Sequence, residues 1–283
     1  MKNEELIKSI LGDNAYIEKP ILGGMMNHSF LVKCDNKEYI LYVATEQANE
    51  MVNRKEELNH LEMVYELGIT SKNVYFDITN GIKINEFIPG DSINNVEEFD
   101  INKVASILKT LHTSGLRSNL DYRPFDRFIA FEKEALEFTS LDETYQKLRE
   151  IIFDNKEHLE SITLVMCHND FQRSNIVKSN DDNYYMIDFE FMANNDPIYD
   201  IACFGNNRVK DGYELLKAYF GKDLDKEKEN RFYLWRIFIS LQWSLVALIK
   251  HYRGEGAIHH YNFLDVANFF IGNALEAEKE LKR

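Results

Sequence analysis

The stretch that decides the fold is HNDFQRSN, residues 168–175, together with the segment YYMIDFEF, residues 184–191. HNDFQRSN is a polar loop that leads into the short strand NIV, SNDDN is a turn, and YYMIDF is predicted to return as the second strand of a hairpin. The first segment directly follows an apolar strand. The predicted hairpin brings Asp188 back beside Asn175, with Asp170 a few residues upstream.

The polar side chains of this region have the chemistry of a metal and phosphate site. A carboxylate and an amide oxygen that converge on one point, from Asp188 and Asn175, suit a hard cation such as Mg²⁺ beside phosphates. Asp170 is then left to orient a hydroxyl nucleophile and to accept its proton. The alternative is that these residue types simply occupy turns. Asp188 argues against it, because an aspartate inside a predicted strand is disfavoured unless it has a partner or a task.

The composition describes a globular chain of 283 residues, long enough for two lobes. Acidic residues outnumber basic ones by 47 to 33, and the net charge of −14 opposes binding to nucleic acid or to an anionic membrane surface. The three cysteines, Cys34, Cys167 and Cys203, have no metal-ligand spacing and argue against a disulfide framework. The sequence therefore predicts a cytoplasmic protein without a nucleic-acid partner.

The most apolar run, LWRIFISLQWSLVALI at residues 234–249, is interrupted by Arg236, Gln242 and two serines. It is also shorter than the roughly 18 apolar residues that a membrane span requires. We interpret it as a buried helix and expect no membrane span.

Outside these segments, the sequence pattern changes along the chain from β-rich to mainly helical. Residues 15–43 contain three β-rich runs separated by turn formers, which predicts an antiparallel meander. A helix is predicted over residues 49–67, and a hairpin follows at Asn80-Gly81. The segment IPGDSINN, residues 88–95, predicts a linker, and the later pattern is mainly helical.

HNDFQRSN, followed by MIDFEF and DPIYDIA, resembles the catalytic core of the choline kinase and aminoglycoside phosphotransferase superfamily, which is similar in fold to protein kinases. Within that superfamily the chain resembles the bacterial choline kinases. The resemblance implies an α+β, protein-kinase-like fold with two lobes. Residues 1–88 would form a small nucleotide-binding lobe with an antiparallel sheet and one helix. Residues 89–283 would form a larger, mostly helical lobe for catalysis and acceptor binding.

The same resemblance implies roles for the polar residues of the core. Asp170 would be the catalytic base that orients the acceptor hydroxyl, and Asn175 and Asp188 would be the Mg²⁺ ligands. Glu190 would lie near the metal or the substrate. Asp200, within DPIYDIA, would brace the catalytic loop.

The nucleotide site is implied by two further segments. Gly23 and Gly24 would lie in the loop over the ATP phosphates, where the missing Cβ permits close backbone approach. An ordinary hairpin turn is the alternative for these two glycines. Backbone groups of Glu86, Phe87 and Ile88 would form the hinge that meets adenine.

The chain departs from the family at the strand that should carry a phosphate-binding cation. Kinases of this architecture place a basic residue there, paired with a glutamate on the next helix. The aligned residue is Tyr42, so the matching helix residue, Glu57, is predicted to have lost its partner. Arg54 could supply charge from another direction, or Lys33 or Lys37 in a shifted register. A solvated charge on the helix is the alternative for Arg54.

The acceptor site departs from the family as well. The resemblance implies a quaternary ammonium held by tryptophans spaced W-x-x-W and by an acid. This chain keeps Trp243 but has Val246 at the second aromatic position, and Asn206 and Asn207 where the acid is expected. Glu190 and Tyr252 complete the predicted substrate contacts.

The sequence thus predicts transfer of the γ-phosphoryl group of ATP, with Mg²⁺ as cofactor, to the hydroxyl of a small cationic alcohol. Choline and ethanolamine are the first candidates. Aminoglycoside and thiamine kinases are alternatives from the same superfamily. A catalytically impaired pseudokinase is the alternative from a different class, because Tyr42 replaces the expected basic residue.

Overall fold

The chain divides into two compact units, each discontinuous in sequence. The computed structural model describes residues 3–21, 27–256 and 262–282. The first unit contains Met1–Phe99 and Ser174–Met192, and the second contains Asp100–Arg173 and Ala193–Arg283. The assignment of nucleotide binding and acceptor binding to separate lobes stays a prediction.

The first unit is built on a five-stranded antiparallel sheet in the order β1-β2-β3-β5-β4. Its strands are β1 Tyr16–Ile21, β2 Asn27–Cys34, β3 Lys37–Ala44, β4 Asn73–Asp77 and β5 Ile82–Glu86. Asp35, at the β2–β3 turn, and Gly81, at the β4–β5 turn, both have positive φ, which these residue types tolerate. The predicted meander and hairpin are confirmed.

Within the described residues, three helices accompany this sheet, not the one that was predicted. They are α1 Asn3–Leu11, α2 Glu46–Met51 and α3 Arg54–Glu66. The helix predicted over residues 49–67 is interrupted because Val52 is extended and Asn53 caps a new helix, accepting a hydrogen bond from the Glu56 N–H. The break places Arg54 and Glu57 in the first turns of α3.

The predicted linker after β5 is wrong in one respect, because it contains a strand. Strand β6, Gly90–Ser92, pairs with β8, Ile176–Ser179, which pairs in turn with β9, Tyr184–Met186. A Cβ at Gly90 would lie 2.2 Å from the Lys178 carbonyl oxygen, so only glycine allows this close approach.

The second unit is mostly helical and adds one two-stranded ladder. Its helices are α4 Ile101–His112, α5 Pro124–Leu136, α6 Glu143–Asp154, α7 Lys156–Glu160, α8 Pro197–Phe204, α9 Val209–Phe220, α10 Lys226–Tyr252 and α11 Phe263–Leu281. Its strands are β7 Val165–Cys167 and β10 Ala193–Asn195, which pair antiparallel. The predicted α+β architecture, an antiparallel sheet with a mostly helical remainder, is confirmed.

The core of the second unit forms around helix α10. This helix is long and apolar enough to cross a membrane by length and composition, but 83% of its most apolar window is buried inside the protein. Trp235 and Phe238 pack edge to face, 5.3 Å apart. The buried guanidinium of Arg236 donates hydrogen bonds to Ala202 O and Asn206 Oδ1 at 2.7 and 2.9 Å. The prediction of a buried helix is confirmed.

Candidate active site

The β8–β9 hairpin places the two predicted metal ligands at one end of a ladder. Ile176 pairs with Met186, and the Ile187 N–H donates to Asn175 O at 3.0 Å. Asn175 ends a single 3₁₀ turn just before β8. Strand β9 stops at Met186, so Asp188 is not inside a strand as predicted. Its φ of 68° instead puts it in the left-handed region, an uncommon backbone conformation that recurs at functional sites.

Asp188 has an oxygen available for a ligand. Its Oδ1 is buried and has no hydrogen-bond partner among the described residues. The Nζ of Lys83 lies 3.9 Å from this oxygen. The Asp188 side chain is 29% exposed, so it borders solvent.

Lys83 is a buried cation beside Glu57 that was not predicted from the sequence. Its Nζ lies 2.5 Å from Glu57 Oε1, and its side chain is only 2% exposed. Lys83 stands on β5 directly opposite Tyr42 of β3, and its Nζ lies 5.0 Å from the centre of the Tyr42 ring. The prediction that Glu57 has lost its partner is therefore wrong.

Arg54 is buried rather than solvated, so the solvated alternative is wrong as well. Its Nη1 lies 2.6 Å from Glu57 Oε2 and 3.6 Å from Glu190 Oε2. Its Nε donates to Asn49 Oδ1 at 3.0 Å. Glu190 also accepts a hydrogen bond from Asn27 Nδ2 at 3.2 Å, a contact that nothing in the sequence pattern indicated.

The charges of the cluster formed by Arg54, Glu57, Lys83, Asp188 and Glu190 shift one another's pKa values. Burial alone would raise the pKa of Glu57, but Lys83 and then Arg54 lower it below its ordinary value. Burial alone would lower the pKa of Lys83, but Glu57 and Asp188 raise it above its ordinary value. Burial, and then the charge of Asp188, raise the pKa of Glu190 to about 7. Glu57 and Lys83 are therefore both charged at neutral pH.

Tyr42 contributes no charge to the cluster. Burial raises the pKa of its phenol to about 12, although Lys83 opposes this shift. Lys33, one of the alternative cations, pairs with Glu18 at 2.7 Å and with Glu38 at 3.4 Å near the surface of the sheet. The register of β2 and β3 keeps Lys33 and Lys37 at the opposite end of the ladder from Tyr42.

The backbone N–H groups of the predicted hinge, residues 86–88, differ in their hydrogen bonding. The Glu86 N–H donates to Lys72 O at 2.9 Å, and the Phe87 N–H donates to Glu38 O at 3.0 Å. Within the described part of the chain, the Ile88 N–H has no hydrogen-bond partner. The predicted phosphate loop with Gly23 and Gly24 lies outside the described residues.

In the second unit, the loop that carries Asp170 is held by its backbone. Asp200 of α8 accepts hydrogen bonds from the His168 N–H at 2.8 Å and from the Asn169 N–H at 2.6 Å. Asn169 has a positive φ of 63°. Nε2 of His112, in the segment ILKTLHTS, lies 3.0 Å from Asp200 Oδ2.

Asp170 itself is partly buried and makes local contacts. Its side chain accepts a hydrogen bond from Gln172 Nε2, and its backbone N–H lies 3.3 Å from His168 Nδ1. Asp200 braces this loop through backbone contacts, as the family resemblance implied, and His112 extends the brace. The catalytic role of Asp170 stays a prediction.

The predicted acceptor residues of the second unit do not form one group. The Trp243 ring stacks on Phe270 of α11, with centroids 6.2 Å apart, while Tyr252 stacks on Phe138 at 6.0 Å. Nine residues separate Trp243 from Tyr252 on α10, which is about 13.5 Å along the axis and about half a turn around it. The two side chains therefore cannot line one wall, and exposed Asn207 follows the end of α8.

Comparison with known proteins agrees with this architecture. The family model described as choline/ethanolamine kinase matches residues 19–239. Protein LicA of Haemophilus influenzae is 23% identical over 278 residues, covering 92% of this chain and 79% of LicA. The crystal structure of choline kinase LicA from Streptococcus pneumoniae matches with 26% identity and a TM-score of 0.74, covering 99% of this chain and 97% of the other.

A second structure, described as LicA in complex with AMP, matches with the same identity and TM-score and with coverage of 99% and 96%. These neighbours are protein-kinase-like enzymes, so the predicted fold is confirmed. The chain belongs to the choline/ethanolamine kinase family of phosphotransferases.

Proposed function

We propose that this protein transfers the γ-phosphoryl group of ATP to the hydroxyl of a small cationic alcohol, with choline or ethanolamine as the acceptor. The observation that carries the proposal is the hairpin end where Asn175 and Asp188 adjoin, with Lys83 and Glu57 paired beside Asp188. A cytoplasmic location, with access to ATP, fits this activity.

The residues present fit Mg²⁺. Asp188 Oδ1 is a buried carboxylate oxygen without a hydrogen-bond partner among the described residues, and Asn175 supplies an amide oxygen at the same end of the hairpin. Oxygen donors of this kind are the ligands that Mg²⁺ takes, usually together with phosphate oxygens. Asn175 and Asp188 would hold the ion, which neutralises charge that develops on the phosphates.

The remaining roles fall to side chains and backbone groups of the chain. Asp170 orients the acceptor hydroxyl and takes up its proton as the new oxygen–phosphorus bond forms and the bond to the ADP oxygen breaks. The Ile88 N–H, left without a partner in the described structure, is the hinge donor that meets adenine. Because Lys83 and Glu57 are buried, the electrostatic interaction of this charge pair with a nearby phosphate is screened less than it would be in water.

The net charge of the chain and its relatives both bear on the identity of the acceptor. A net charge of −14 attracts a cation, and the aromatic face of Trp243, stacked on Phe270, is one surface on which an ammonium group can rest. The relative from Streptococcus pneumoniae is described as a choline kinase. Both points favour choline or ethanolamine over an acceptor without a compact positive charge.

An acceptor panel tests the proposal. Purified protein with ATP and Mg²⁺ is offered choline, ethanolamine, thiamine and an aminoglycoside, while ADP release and the mass of the phosphorylated product are measured. We expect ADP release that depends on choline or ethanolamine, stops with EDTA and returns with excess Mg²⁺. A preference for thiamine or the aminoglycoside would replace the proposed acceptor. ADP release that depends on none of the four would contradict the proposal and favour the pseudokinase.

A further inference from the structure

We propose that Lys83, on strand β5, binds the α and β phosphates of ATP in place of the basic residue that kinases carry on the third strand. Glu57 positions its ammonium group, and Tyr42 occupies the usual position of the cation as an uncharged aromatic neighbour. The inference rests on the proposed function in one respect, because it takes ATP as the phosphate donor.

The strand register places residues 42 and 83 side by side. Tyr42 and Lys83 are direct partners in the β3–β5 ladder. Residues directly opposite each other in an antiparallel pair project to the same face, with their Cβ atoms roughly 5 Å apart. A lysine side chain is long enough to span that distance. An ammonium group carried by residue 83 therefore reaches the space that a cation at residue 42 would occupy.

Lys83 lies close to two carboxylates of the cluster. Its Nζ lies 2.5 Å from Glu57 of α3 and 3.9 Å from Asp188. In protein kinases the phosphate-binding lysine pairs with a glutamate of the following helix, and a later aspartate holds Mg²⁺ at the same phosphates. Among the described lysines, no other forms ion pairs with both of these carboxylates.

Arg54 is the competing cation, and its contacts give it a different task. Its Nε is engaged by Asn49, and its Nη1 lies between Glu57 and Glu190. Arg54 therefore fixes the second oxygen of Glu57, which leaves Oε1 facing Lys83. Arg54 thus serves to hold Glu57, while the ammonium group of Lys83 lies beside Asp188, the predicted metal ligand.

The position of Lys83 explains why residue 42 is an uncharged aromatic residue. Its ring centre lies 5.0 Å from Lys83 Nζ, within the range of a cation–π contact. A second lysine at residue 42 would put two ammonium groups side by side in a buried cluster, where like charges repel strongly. A neutral aromatic side chain fills the space and stabilises the single cation instead.

Titration calorimetry on the full-length protein tests the role of Lys83. ATP and adenosine are compared in wild type and in Lys83→Met, which removes the ammonium group and keeps most of the side-chain length. We expect the affinity for ATP to fall by about 10- to 100-fold, as for a lost hydrogen bond to a charged group, with less than about 3-fold change for adenosine. Lys33→Met is the matched control, expected to change neither affinity.

Equal losses of ATP and adenosine affinity in Lys83→Met would show a structural role and overturn the proposal, as would no loss of either. Tyr42→Lys with Lys83→Met returns a cation from the opposite strand. We expect this double variant to recover at least about 5-fold in ATP affinity over Lys83→Met. Failure to recover, in a double variant that melts like wild type, would count against the shared position of the two side chains.

A labelling experiment needs no variant. An acyl phosphate derivative of ATP transfers its acyl group to a lysine amine beside the bound phosphates, so that an amide forms and ATP leaves. Peptide mass spectrometry should find the label on Lys83 of the wild type, removed by excess ATP. ATP-protected labelling of another lysine, with none on Lys83, would overturn the inference. Labelled Lys83 in a protein that phosphorylates none of the four acceptors would contradict the proposed function alone.

Discussion

The charged cluster around Lys83 in the first unit and the loop that carries Asp170 in the second are held in place by different means. Ion pairs between side chains hold the ammonium group of Lys83. The position of this group therefore depends on Glu57 and Asp188 and not on one particular strand position. Hydrogen bonds from the backbone of the Asp170 loop to Asp200 hold that loop, so its sequence spacing must be kept. The loop keeps the family pattern, while the buried lysine that pairs with Glu57 lies on β5 and not on β3.

Asp170→Asn is expected to have the largest effect, because it removes the group that accepts the proton of the acceptor hydroxyl. We expect kcat to fall by about 10²- to 10⁴-fold, with little change in melting temperature, since Asp170 is only partly buried and makes local contacts. Steady-state kinetics and thermal unfolding measure the two quantities. Asp182→Asn, in the exposed β8–β9 turn, is the control, and near wild-type turnover in Asp170→Asn would contradict the role.

Glu57→Gln tests whether side-chain pairing holds the cluster. Because it leaves Lys83 and Arg54 without a shared carboxylate, we expect the free energy of unfolding to fall by about 3 kcal/mol and ATP affinity to weaken. The way in which the stabilisation by Glu57 changes with pH follows from the lowered pKa of Glu57. The contribution is present above the ordinary pKa of a glutamate and is lost as the pH falls through the lowered value.

Urea unfolding of wild type and Glu57→Gln between pH 3 and pH 7 measures this loss. The difference in stability between the two proteins should shrink as the pH falls. Glu56→Gln, one residue away on α3, is the matched control. A difference that stays constant with pH would contradict the pairing of Glu57 with cations.

Asp200→Asn tests the brace on the Asp170 loop. It keeps the shape of the side chain but replaces a carboxylate that accepts two backbone hydrogen bonds with a neutral amide. We expect a loss of about 2 kcal/mol in the free energy of unfolding and a reduced kcat, with the KM for ATP nearly unchanged. A changed KM for ATP with an unchanged kcat would show that Asp200 serves the nucleotide instead of the loop.

Tyr42→Lys is expected to have the smallest effect. Since Lys83 already supplies the cation, a second ammonium group beside it should give no gain in kcat/KM and a modest loss from repulsion. Tyr42→Phe, which keeps the ring near Lys83 Nζ, should behave like wild type. A large gain in turnover for Tyr42→Lys would mean that the natural site is impaired.

The sequence predicted those parts of the fold and site that depend on local pattern. Alternating apolar residues and turn formers predicted the meander, and the pattern around HNDFQRSN and MIDFEF predicted the hairpin that has Asn175 at its end. Residue 83 was missed because its role depends on β3 pairing with β5, a contact between strands about 40 residues apart. One signal was present: a lysine between Ile82 and Ile84 in a strand, which is disfavoured unless it is paired.

Other differences also arise from contacts that local patterns do not contain. The segment at residues 88–95 contains turn formers, yet Gly90 allows it to pair with β8. Both Trp243 and Tyr252 are aromatic residues of one helix, but the helical repeat sends them to different partners. Aromatic composition alone therefore did not define an acceptor pocket.

The central claim is that this chain is an active phosphotransferase whose phosphate-binding cation is Lys83. The rate of phosphoryl transfer from ATP to choline or ethanolamine, compared between wild type and Lys83→Met at saturating acceptor, tests it most directly. The account predicts an active wild type and a rate lower by about 10²- to 10³-fold in the variant, as for loss of an electrostatic catalytic group. A folded Lys83→Met protein with the wild-type rate would contradict it.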